Sequence, residues 1–308
     1  MFGYLRLILA ILVMLSHLGI RVNGLNIGVI AVVMFYILAG YVVSYIYSLY
    51  KNYNLFIRDR IKRIFPLYLF MVGLTTLFLL ITDFANPHFT LFNIFTNLTI
   101  IPLNYYMLID NAILSTPHWW LIPPAWSLGT ELQAYILLPF ILLYPKIKYI
   151  SISISFIIYI LSAFALIQPD YFGYRLIVGV LFIFILGVSI RDKRAKDKAF
   201  LLLVWVVTLI LLYFHIDNKA YIKETSISML IGIPLIYVLS ITKMKLPLNS
   251  FFGSLSYAIF LSHFLAIWIV DYLTLTEKGS LKELIFTLLI TLSIGIVGVY
   301  FEKKSKKV

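Results

Sequence analysis

A succession of long apolar runs limits this chain's fold more than any other feature. Ten stretches read as membrane-spanning helices, at 5–21, 26–49, 61–82, 124–145, 149–168, 174–190, 200–215, 226–242, 255–275 and 284–301. A bilayer's hydrocarbon core takes about 17–25 apolar residues of helix. Inside it every backbone polar group must be paired internally, which leaves helices or closed barrels. Uninterrupted apolar runs of this length choose helices, so the expected fold is all-α: a polytopic transmembrane helical bundle of about ten spans. Charged residues make up 12% of the chain, against about 25% in ordinary soluble domains. No polar segment is long enough for a separate soluble domain, so residues 1–308 read as one integral membrane domain.

With both termini in the cytoplasm, lysine and arginine gather on the inner side by roughly three to one, the positive-inside pattern of a multi-pass protein in the inner or plasma membrane. The net charge of +12 then sets topology, and a nucleic-acid partner is not expected. There are no cysteines, which excludes disulfides and thiolate chemistry. The five histidines form no HExxH-type pair, so no metal site is expected. No cleavable signal is expected at the first apolar segment.

The longest connection, 83–123, is rich in aromatics, Ile and Leu. It predicts a re-entrant or surface-lying segment near Leu91–Leu108, with Trp119 and Trp120 suited either to an interfacial belt or to a substrate platform. The mixed-charge stretch 190–198, "IRDKRAKDK", reads as a solvated loop.

Ionisable groups inside spans are costly and are functional candidates by default. Arg6, His17, Glu131, His263 and Asp271 meet that description, and Glu302 directly follows the last span. Arg6 and His17 lie eleven positions apart, which on a helix puts them on one face about 16 Å apart. Arg6 can also snorkel to the cytoplasmic surface. In "PPAWSLGTELQAY", 123–135, Ser127 reads as a helix N-cap with Glu131 one turn inside. Arg60 and Arg63, at i and i+3 in "RDRIKRIFPLY", form a guanidinium pair able to clasp phosphates, with Lys62 adding charge.

Together these segments resemble the acyltransferase-3 family of membrane O-acyltransferases. The resemblance is carried by Arg6…His17, Gly28–Tyr41 ("GVIAVVMFYILAGY"), Arg60–Tyr68 ("RIKRIFPLY"), Pro124–Tyr135 ("PAWSLGTELQAY"), Ser254–His263 ("SLSYAIFLSH") and Tyr300–Glu302 ("YFE"). Ala39 stands where the family usually has serine, and Lys303 and Lys304 stand in the region where it has a proline. No appended hydrolase-like domain is expected.

The resemblance implies an acyl-CoA donor, most often acetyl-CoA, as co-substrate and no permanently bound cofactor. It implies a hydroxyl acceptor on an extracytoplasmic glycan or a lipid-linked saccharide. Acyl transfer needs a base for the hydroxyl and a group that orients the base. His17 is the expected base, acting directly or through an acyl-enzyme step, and Glu131 is expected to orient it or to stabilise its imidazolium. Arg6 would line the donor's passage, and Arg60, Lys62 and Arg63 would meet the CoA phosphates. Trp126, Ser127, His263 and Glu302 form a second tier, structural or functional. The competing expectation is a transporter or exporter of a glycan intermediate or small metabolite. Against it, the sequence shows no repeated halves and no matching broken spans.

Overall fold

The computed structural model describes residues 1–214, 219–242 and 244–305. His215, the expected end of the seventh span, and Lys243, Lys306 and Lys307, expected inner charges, lie outside the described residues. The fold is almost entirely helical: α1 (Phe2–His17), α2 (Ile27–Tyr50), α3 (Tyr53–Thr82), α4 (Leu91–Thr99), α5 (Ala125–Leu143), α6 (Pro145–Ala163), α7 (Ile177–Asp192), α8 (Ala195–Tyr213), α9 (Ile222–Ile241), α10 (Asn249–Tyr272) and α11 (Leu281–Ser305). The two short strands β1 (Leu114–Ser115) and β2 (His118–Trp119) form one antiparallel hairpin. Among the described residues eight helices are long and apolar enough to cross a membrane: α2, α3, α5, α6, α7 with its preceding turn, α9, α10 and α11. Of the ten expected spans, the other two correspond to α1, apolar but only 16 residues long, and to α8, which opens on Lys196, Asp197 and Lys198. The chain is a multi-pass membrane protein.

Two compact units divide the chain, one formed by Met1–Ile20, Arg60–Gly129 and Leu246–Val308, the other by Arg21–Asp59 and Thr130–Lys245. In the first, α1 packs on α10. The Gly3 N–H donates to the Asn249 side chain at 2.9 Å, and the Tyr4 hydroxyl donates to the Pro247 carbonyl at 2.7 Å. Gly298 of α11 faces Leu67 and Met71 of α3, the small-residue approach that helices use where no hydrophobic force draws them together.

In this unit α4 has an inverted pattern. Its buried residues are Asn93, Thr96 and Asn97, whereas Leu91 is 89% and Phe95 62% exposed. Such an apolar outer face suits lipid, as expected of a surface-lying segment. The polar inner face is fully used. Thr90 and Asn93 cap the helix reciprocally, and the Asn93 amide donates to the carbonyls of His88 and Ala112 at 2.7 and 3.0 Å.

In the second unit α7 is buried along almost its whole length. It meets α2 through two glycines. A Cβ at Gly40 would collide with the Phe184 carbonyl, and one at Gly187 with the Ile37 carbonyl. The two backbones touch there, so Gly187→Ala forces the helices apart. The expected cost is about 1–3 kcal/mol of overpacking, read as a lower melting temperature in detergent; an unchanged melt would mean the crossing tolerates a methyl group.

The expectation of a solvated loop at 190–198 is corrected in this unit. Only a tight turn joins α7 to α8, so Asp197 falls in the first helical turn of α8 and points inward. It accepts from Lys148 Nζ of α6 at 2.6 Å and from the Ser189 hydroxyl at 3.2 Å, and Asp192 lies 3.2 Å from the same Nζ. The Lys148 and Asp197 side chains are 4% and 0% exposed.

Candidate active site

His17 is the last residue of α1 because the chain turns there. Gly19 adopts φ +83°, its N–H donates to the Ser16 carbonyl, and the Ile20 N–H reaches back to the Leu15 carbonyl at 3.1 Å. This is a Schellman closure, and glycine supplies its left-handed residue without steric cost. The helix therefore ends on an exposed imidazole.

Two consecutive residues of α10 hold that ring. Phe264 lies with its ring centre 4.7 Å from that of His17, and His263 lies 5.3 Å away with the two imidazole planes only 23° apart. His263 is completely buried. Its Nδ1 is 3.1 Å from the Ile259 carbonyl one turn back. A carbonyl only accepts, so this contact puts the proton on Nδ1 and leaves Nε2 bare. Nε2 is buried with no hydrogen-bond partner among the described residues, a state that costs about 1–3 kcal/mol.

The ring contacts continue outward. Trp119 packs on Phe264 at 5.8 Å and edge-on to Trp120 at 5.5 Å, and Trp120 meets Tyr106 at 4.9 Å. Trp119 and His17 therefore touch the same Phe264 ring. Trp120 is buried and Trp119 half-buried, so neither is a simple lipid-facing belt residue. The hairpin carrying them is pinned by amides. The Ile113 N–H donates to the Trp119 carbonyl at 2.8 Å. Buried Asn97 accepts from the Leu121 N–H at 2.9 Å and donates to the Asn93 and Asn111 carbonyls. The Tyr68 hydroxyl of α3 donates to the Asn97 carbonyl at 2.6 Å.

Trp126 and Ser127 are buried in the first turn of α5. Ser127 was expected as the N-cap, but the helix begins two residues earlier, at Ala125, and the hydroxyl instead donates to the Pro124 carbonyl at 2.9 Å. Gly129 gives room for the turn at 100–104, since a Cβ there would crowd the Ile100 carbonyl.

The basic residues sit at the other end of this unit's helices, where α1 and α10 begin and α11 ends. Arg60 is half-buried and Lys62 exposed on α3, and Arg6 is half-buried on α1. Arg63 Nη1 pairs with Glu302 Oε1 at 3.3 Å, with Glu302 only 2% exposed. The structure thus joins two expected site residues, and it gives the Arg63 guanidinium a carboxylate with which any phosphate would share it. Asp271 is apart from both groups and pairs with exposed Lys278 at 3.5 Å.

Glu131 belongs to the second unit, half-buried on α5, and accepts from the Tyr135 hydroxyl one turn along the same helix. The neighbouring Thr130 hydroxyl donates to the Arg175 carbonyl at 3.0 Å. Arg175 Nε donates to Asp170 at 2.7 Å, and its guanidinium lies over the rings of Tyr174 and Tyr221 at 5.2 and 5.6 Å. Arg175 was not among the candidate residues read from the sequence. The signal for it was Asp170 five residues earlier, in a segment with three tyrosine and phenylalanine rings. Among the described residues no group of three or more His, Asp or Glu is placed to hold a metal ion.

Comparison with known proteins adds three findings. The family model for acyltransferase-3, described as an acyltransferase domain, matches residues 2–302. A protein of Aquifex aeolicus (strain VF5), described as an uncharacterized protein, is 41% identical over 217 residues, which is 66% of this chain and 97% of that protein. No solved structure matches the chain.

Proposed function

The chain belongs to the acyltransferase-3 family and is a membrane-embedded acyltransferase, and from that membership we propose that it moves an acyl group, acetyl in the simplest case, from cytoplasmic acyl-CoA to a hydroxyl of an extracytoplasmic glycan or lipid-linked saccharide. In this reading α1 and α8 complete ten spans, both termini are cytoplasmic, and residues 1–308 work as one domain. His17 is the base that takes the acceptor hydroxyl's proton as oxygen attacks the thioester carbonyl and CoA leaves as the thiolate. Arg6 lines the donor's path about 16 Å along the helix from His17, a distance an extended pantetheine arm covers. Arg60, Lys62 and Arg63 meet the CoA phosphates, with Glu302 holding Arg63 until a phosphate competes for it. Glu131 is the carboxylate assigned to the reaction. Its support is the motif around it and the Tyr135 hydroxyl that fixes its carboxylate.

The observation that carries the reading is the exposed imidazole at the end of an apolar helix, set against an aromatic wall that runs to Trp119. Membranes containing the protein, incubated with radiolabelled acetyl-CoA, are expected to pass label into a glycan or lipid fraction. No label under conditions where the protein is inserted and folded would sink the proposal, and accumulation of unlabelled glycan across the bilayer would favour export. For the donor end, Arg60→Ala/Arg63→Ala is expected to raise the KM for acetyl-CoA on the order of tenfold or more, as charge-assisted hydrogen bonds to phosphate are lost. Unchanged donor affinity in an inserted protein would remove the phosphate assignment.

A further inference from the structure

A fully buried histidine whose outer nitrogen has no partner is a poor choice for packing. The same face of α10 carries Phe260 and Phe264, and a third phenylalanine at 263 would fill similar space without burying a bare nitrogen. Polar groups left unpaired in an interior ask for a reason, often a catalytic one. Here the Nδ1 proton is committed to the Ile259 carbonyl, so the lone pair is fixed on Nε2. The nearest imidazole, with its ring centre 5.3 Å away and its plane 23° from parallel, is that of His17. Phe264 limits how far the His17 ring can swing from that position.

We propose that His263 is a positioning residue for His17: its Nε2 lone pair accepts a hydrogen bond from one ring N–H of His17 during turnover, which leaves the opposite nitrogen of His17 unprotonated and facing the acceptor hydroxyl. The inference rests on His17 being the base. It assigns to a neutral imidazole the orienting task that a carboxylate performs in hydrolytic triads. No covalent bond forms at His263. The proton that His17 takes from the acceptor stays on His17 until the CoA thiolate or water removes it.

Three variants, His263→Phe, His263→Gln and His17→Ala, are compared in membranes with radiolabelled acetyl-CoA, and their melting temperatures are measured in detergent. His263→Phe keeps a ring and loses the lone pair, and His263→Gln supplies an acceptor oxygen in its place. His263→Phe is expected to lower kcat about 10–100-fold, with the KM for acetyl-CoA unchanged and the melting temperature equal or higher, because an unpaired buried nitrogen has been removed. His263→Gln is expected to recover about tenfold of that loss, as an orienting hydrogen bond does. Wild-type kcat in His263→Phe overturns the proposal, and so does a folded His263→Gln no more active than His263→Phe. If His263→Phe fails to fold, the His263→Gln result decides alone: activity well above that of His17→Ala supports the proposal, and activity equal to it overturns it. Full activity in His17→Ala would mean that the base has been misassigned, whereas an inactive His17→Ala beside a fully active His263→Phe removes only the role of His263.

Discussion

His17→Ala is expected to reduce acyl transfer by about 10²–10⁴-fold, the usual worth of a positioned general base, while the amount of inserted protein stays the same. The second half of that expectation follows from the structure. His17 is exposed and terminal on α1, and the Schellman closure that ends the helix uses backbone groups of Leu15, Ser16, Gly19 and Ile20. Removing the imidazole therefore takes away neither a core side chain nor a cap. The first half follows from chemistry. No cysteine is available as a nucleophile, and the carbonyl-rich end of α1 favours the positive charge that the ring acquires during transfer. The measurement is initial rate against acetyl-CoA concentration in membranes matched for protein level. Loss in kcat with unchanged KM is the expected pattern, since the residues proposed to meet the donor's phosphates, Arg60, Lys62 and Arg63, lie at the opposite end of the helices. A fully active His17→Ala would end the case for histidine base catalysis and turn attention to the second unit, where Glu131 and Arg175 lie on either side of the Thr130 contact.

Much of the helical framework was legible because membrane spans are written in long apolar runs: α2, expected at 26–49, is found at Ile27–Tyr50, and α3 ends at Thr82 as expected. Contacts between residues distant in sequence were less legible. Asparagines in a loop read as turn formers, yet Asn93, Asn97 and Asn111 are buried amides that hold the hairpin under Trp119. Their role depends on a carbonyl lattice that exists only once the loop has folded. His17 and Arg6 could be paired by helical periodicity because both lie on α1. The partnership of His17 with His263 could not, since nothing in the pattern says that the end of α1 lies against the tenth helix at that residue. Arg63 and Glu302 were each singled out for separate reasons, and their pairing came only with the packing of α11 on α3.

Asp197→Ala is expected to cause the largest loss of stability. A membrane interior offers little water to a charge that has lost its partner, so breaking a buried pair from one side costs about 3–5 kcal/mol. Lys148 would keep only Asp192, at 3.2 Å, and Asp192 is partly exposed, so it replaces a fully buried carboxylate incompletely. The three residues belong to α6, α7 and α8, so the lost attraction is one that draws three helices together. Lys148→Met combined with Asp197→Leu removes both charges and fills similar volume. That double variant is expected to recover most of the stability lost in Asp197→Ala, because an apolar replacement of a whole buried pair is often neutral or better. The check is a double-mutant cycle on melting temperature and monodisperse yield in detergent, in which the interaction shows as non-additivity. A solvated mixed-charge loop predicts no change in any corner of the cycle. An unaltered melt for Asp197→Ala would restore that simpler picture, whereas a large single-site loss reversed in the double variant would establish the pair as the tie among these helices.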